Sequence, residues 1–145
     1  MRAIINIPAA LLLLSGTAAD FWMYTYISYS GGDPWWEGVM ILGAAPPVCD
    51  EILYSNRLKH LKDVSGDKRG VRFAGSALDP DIVEFNSERL GHYTIYKDRN
   101  YDMVDVDNQL KGKCVLNITS TYNCVFEKET DTGHSIFWCV SEVHV

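Results

Sequence analysis

The sequence predicts a β-rich α+β fold: an antiparallel β-sandwich or small barrel with one short helix and two disulfides. Three observations carry this. Segments rich in β-branched and aromatic residues recur along the chain, separated by Gly, Pro, Asn and Asp. A single stretch has apolar spacing that suits a helix. The cysteines Cys49, Cys114, Cys124 and Cys139 form an even set behind an N-terminal segment with the marks of an export signal.

That segment comes first in the chain. Arg2 gives it a positive start, 3–14 is mostly apolar and ends in four leucines, and 15–19 is small residues. Charge, apolar run and small-residue exit together read as a secretory signal peptide over 1–19, cut before Asp20. The run is shorter than the roughly 20 residues a membrane-spanning helix needs, and no later stretch is long enough either. The expected product is one secreted, extracellular globular domain, 20–145, monomeric and without a membrane span.

The strands follow in order. Residues 21–29, FWMYTYISY, read as a first strand and 36–42 as a second, parted by the Gly31-Gly32-Asp33-Pro34 break. After Pro46-Pro47, Asp50 is placed to cap a helix over 50–62, with Ile52, Leu53, Leu58 and Leu61 as its apolar side. Short strands are then expected at 71–73, 82–85, 91–96, 101–106, 109–116, 122–126 and 135–140. The polar connectors 97–100 and 107–108 suit tight hairpins. The whole reads as a meander or Greek key with the helix on one side.

The cysteine spacings contain no C-x-x-C pair, which argues for two disulfides over zinc. Proximity favours Cys114 with Cys124 and Cys49 with Cys139, while a pairing of Cys124 with Cys139 across a hairpin is the rival. Of 13 basic residues the leader removes Arg2, so 12 face 19 acidic ones and the secreted domain carries a net charge of −7. General nucleic-acid binding is therefore not expected. Asn117-Ile118-Thr119 is an N-glycosylation sequon, which makes the chain a glycoprotein candidate.

Two resemblances extend this reading. The signal segment, the opening DFWMY at 20–24, PPVCD at 46–50, GHYTIYKDR at 91–99 and IFWC at 136–139 together resemble small cysteine-containing secreted proteins of filamentous ascomycete fungi, effector-like and uncharacterised. This implies a non-enzymatic interaction protein, effector-like or toxin-like, that meets a host or competitor molecule. The stretch IYKDRNY at 95–101 is similar to the first hairpin of a βγ-crystallin Greek key, with Met103 where that family carries Gly.

Several residue groups compete as sites. Trp35 and Trp36, with Tyr29 and Tyr26 near in sequence, suit an aromatic platform for an extracellular protein or glycan. His92, Glu84 and Arg99 are the side-chain types with which small secreted ribonucleases act: acid, base and a cation for the phosphorane. They define an alternative, hydrolase-like reading; otherwise no catalytic residue is assigned. Asp102, Asp105 and Asp107 crowd one hairpin with Asp98 and define a second alternative, a calcium- or carbohydrate-binding β module. No EF-hand loop is present and no metal or cofactor is expected; an acidic face on a sheet edge also resists aggregation.

Overall fold

The computed structural model describes residues 19–43, 45–143 and 145, and the side chains of Trp35 and Trp36 are not among the parts described. The signal peptide assigned to 1–19 lies, apart from Ala19, outside the described residues.

The described residues form ten strands, one short α-helix and a 3-10 turn at Lys97–Arg99: β1 Ala19–Ser30, β2 Asp33–Leu42, α1 Cys49–Leu53, β3 Asn56–Lys59, β4 Gly70–Ser76, β5 Asp79–Ser87, β6 Gly91–Tyr96, β7 Asp102–Asp105, β8 Leu110–Leu116, β9 Thr121–Val125 and β10 Thr130–Ser141. Their antiparallel sheet runs β3-β2-β1-β10-β8-β7-β6-β5-β4 and curls on itself. One parallel bridge, His60 to Val71, joins its ends, with Leu61 N–H donating to Val71 O at 2.9 Å. The fold is thus a nearly closed barrel. Consecutive strands from β4 to β8 are neighbours, which is the expected meander, and β10 links that meander to β1.

The first strand is longer in unbroken apolar and aromatic residues than a half-buried strand would be. The structure explains this, because both its faces are covered. Phe21 and Met23 point into the barrel with Val39, Ile41, Val71, Phe85, Ile95 and Phe137. Tyr24 and Tyr26 point the other way, into a second core with Met40, Ile52, Tyr122 and Cys124. That outer core is roofed by α1 and by β9, which pairs with the half of β10 that β8 leaves uncovered. A bulge in β10 sets Met23 opposite Phe137 and Tyr24 opposite Ser135, so Ile136 and Phe137 both reach the barrel interior.

The helix expected over 50–62 is corrected to Cys49–Leu53. Glu51 accepts a hydrogen bond from Val48 N–H at 3.1 Å and starts the turn. Ser55 Oγ donates to Ile52 O at 2.8 Å and ends it. Beyond that, pairing with β2 outweighs helix propensity. Leu58 sits opposite Val39 and enters the barrel core as a strand residue. Gly38 permits this approach, since a Cβ there would collide with the Leu58 carbonyl.

Two disulfides form, but neither favoured pairing occurs. Cys49 bonds Cys124 and Cys114 bonds Cys139. Cys114 and Cys139 oppose each other directly in the β8–β10 ladder. Cys124 lies opposite Asp131, toward the other end of β10, and so cannot reach Cys139. Each bridge fastens one core: Cys114–Cys139 the barrel, Cys49–Cys124 the helix to β9.

Beneath that helix lies a buried polar group. Asp131 is fully buried and receives the Ser28 hydroxyl hydrogen bond. Arg57 Nη2 stands 2.6 Å from Asp131 Oδ2, close but off hydrogen-bond alignment, and Arg57 Nη1 is 3.6 Å from Glu129. Arg57 also donates to Ile52 O at 3.2 Å and lies 5.8 Å from the Tyr26 ring centre. Burial pushes the Tyr26 and Tyr122 hydroxyls well above the usual phenol range.

Candidate ligand site at the barrel mouth

β3 stops at Lys59, while β2 and β4 run on past it to Asp33 and Ser76. A slot opens between them, with His60 at its base. The inward parity of β1 continues here as Thr25, Ile27 and Tyr29, and that of β2 as Glu37. On β10, His134 and Thr132 oppose Thr25 and Ile27. Phe73 and, from the β4–β5 turn, Leu78 close the far side. Together they bound an open cleft of about 670 Å³, within the size range of small-molecule sites, which favour barrel mouths.

The chemistry of this mouth is mixed. Ile27, Phe73 and Leu78 give apolar surface, with His60 meeting the Phe73 ring at 5.8 Å in an edge-on contact. Glu37 Oε1 is 3.5 Å from His60 Nδ1, and the Glu37 side chain is 68% exposed. The neighbouring backbone is tied down, since His60 N–H donates to Glu37 O at 3.0 Å. Thr25 Oγ1 donates to His134 O at 3.3 Å.

Of the sequence-predicted platform, Tyr29 lines this mouth and Tyr26 borders it, with its side chain packed in the outer core. Trp36 stands opposite Ser28 in the β1–β2 ladder, and Trp35 is the extra residue at the bulge between that pair and Tyr29–Pro34. Both therefore belong to the hairpin that forms one rim. Glu37, His60, Phe73, Leu78 and His134 were not among the residues picked out from the sequence. Nothing local marks them, because three separate strands, the residue that follows β3 and a turn bring them together.

The residues of the hydrolase-like reading divide. His92 Nε2 is 2.9 Å from Glu84 Oε1. Arg99 is elsewhere: it stacks on Tyr96 at 4.4 Å and donates to Asn108 Oδ1 at 2.5 Å. The cation beside Glu84 is Arg72, whose Nε and Nη2 approach Glu84 Oε2 at 2.9 and 2.7 Å. Arg72, Glu84 and His92 form a row across the outer face of β4, β5 and β6, with Val83, Phe85 and Ile95 beneath them on the inner face. Burial works to raise the Glu84 pKa, but hydrogen bonds from Arg72 and His92 outweigh it and leave the carboxyl below its ordinary range. A depressed carboxyl stabilises the fold above its unfolded pKa, and that contribution fades as pH falls. Acidification through the carboxylate range should therefore lower the melting temperature of the wild type more steeply than that of Glu84→Gln. Parallel curves would contradict this.

The acidic hairpin is committed to internal pairs. Asp102 meets Lys113 at 2.7 Å and Asp105 meets Lys111 at 3.6 Å. Asp105 Oδ1 also accepts from the backbone N–H of Asp107 and Gln109, at 3.0 and 2.9 Å, which shapes the turn. Among the described residues no three His, Cys, Asp or Glu side chains are grouped to hold a metal. Asn117 lies between β8 and β9, where its Oδ1 accepts from Thr119 Oγ1 at 2.7 Å and from Thr119 N–H at 3.2 Å. Among the described residues no helix is long and apolar enough to cross a membrane.

No protein-family model, curated protein or solved structure matches the chain.

Proposed function

We propose that this chain is a small exported binding protein, non-enzymatic and effector-like or toxin-like, that engages a host or competitor molecule at its barrel mouth. The mouth carries the reading: a cleft of about 670 Å³ with apolar walls and a few polar groups. Two disulfides, the features of 1–19 and the likeness to small secreted fungal proteins support export. The sequon at Asn117, in a connecting loop, is compatible with that route.

The test is a melting screen of the oxidised domain against a small-molecule collection, run beside Leu78→Arg. Leu78 lies on a turn and is half-exposed, so this variant should fold while filling the cleft. A true ligand at a hundredfold excess over its Kd adds about 2.7 kcal/mol, a melting shift of several degrees that the variant should lose. Ligands that shift both proteins equally would remove the mouth from the proposal.

The His92–Glu84 contact favours one rival, the secreted ribonuclease. RNA hydrolysis by the wild type that disappears in His92→Ala would replace the binding reading with that one.

A further inference from the structure

Charge decides what the mouth is suited to hold. Among its described lining residues Glu37 is the only one with a formal charge at pH 7, with both histidines counted neutral. Its side chain is 68% exposed, so the carboxylate faces the opening. Among the described residues no lysine or arginine lines the cleft to balance it. The cations next in sequence to the lining residues are engaged elsewhere. Arg72, beside Phe73, points to the outer face and meets Glu84 at 2.7 Å, Lys59, beside His60, has an interaction of its own, and Lys97 meets Asp79 at 2.6 Å beyond the β4–β5 turn. The chain as a whole is at −6, which adds to the negative field at the opening.

The walls agree with this sign. Tyr29 and Phe73 line the mouth with aromatic rings, whose faces attract cations. Ile27 and Leu78 offer aliphatic surface for an uncharged body. An anion entering here would meet Glu37 with no compensating cation among the described lining residues.

We propose that the mouth takes a small organic cation: a protonated amine on an apolar body, with the ammonium at Glu37 and the body against Ile27, Phe73 and Leu78. This rests on the mouth being the binding site. The His60 ring lies 3.5 Å from the Glu37 carboxylate on one side.

Three probes of matched chain length separate the possibilities: octylammonium, 1-octanol and octanoate, titrated into the oxidised domain at pH 7 and low salt. Binding is read by calorimetry and by amide chemical shifts. Octylammonium should bind about tenfold tighter than octanoate, since attraction for one and repulsion of the other both enter. Glu37→Gln should weaken octylammonium about threefold to fivefold and leave octanol unchanged. Glu37 is exposed, so this variant should keep the fold. Leu78→Ala should weaken all three probes alike.

Octanoate binding as well as octylammonium, with Leu78→Ala weakening both, would overturn the amine assignment and leave the mouth as an apolar site. An octylammonium affinity indifferent to Glu37→Gln would do the same. Failure of all three probes to shift any amide of the mouth would remove the mouth reading together with the amine.

Discussion

Replacing Arg57 by leucine should destabilise the protein by about 3–5 kcal/mol, and more than Asp131→Asn does. The asymmetry comes from what each change leaves behind. Without Arg57, the fully buried Asp131 carboxylate keeps only the Ser28 hydroxyl. Without the Asp131 charge, Arg57 retains Glu129 at 3.6 Å, the Ile52 carbonyl at 3.2 Å and partial access to water. Urea unfolding followed by tryptophan fluorescence gives both values. The double variant Arg57→Leu/Asp131→Asn should lose less than the two single changes combined, because no charge is then stranded. An Asp131→Asn loss equal to or above that of Arg57→Leu would refute this account.

The second large effect concerns the disulfides. Loop entropy assigns about 4.5 kcal/mol to Cys49–Cys124 and about 3.5 kcal/mol to Cys114–Cys139, from sequence separations of 75 and 25. The two losses should also differ in location. Replacing Cys49 and Cys124 by serine frees the roof of the outer core, so amide exchange should accelerate in α1 and β9 while β5 and β6 stay protected. Replacing Cys114 and Cys139 cuts a cross-link inside the barrel sheet and should lower protection in β8, β10 and their neighbours together. Uniform deprotection in both variants would mean the two cores open as one unit.

Much of this fold can be read from local pattern, and its failures have identifiable causes. The strands are legible because residues such as those at 91–96 and 109–116 carry β-forming side chains between turn residues. The hairpin at 107–108 is legible too, since Asn108 adopts the left-handed conformation that asparagine tolerates. The helix over 50–62 was overestimated because Leu58 is apolar for the sake of a strand partner, Val39, that lies 19 residues earlier. The disulfide pairing escaped for a related reason. Cys114 and Cys124 are close in sequence, but β8 and β9 lie end to end along β10 and never pair. The mouth was visible only through Tyr29 and the Trp35–Trp36 hairpin. Glu37, His60 and His134 acquire their meaning from barrel closure, which no local window contains.

The double covering of β1 bears on how this protein can vary. Most strands of the barrel have one face in the core and another in water, so every second residue is open to exchange. Along Phe21–Ser28 the odd positions serve the barrel or its mouth and the even ones the outer core. Neither parity is left for drift. Sequence change should therefore collect on the outward positions of β6 and β7 and pass over β1, which makes that strand the segment by which distant relatives of this chain could still be aligned.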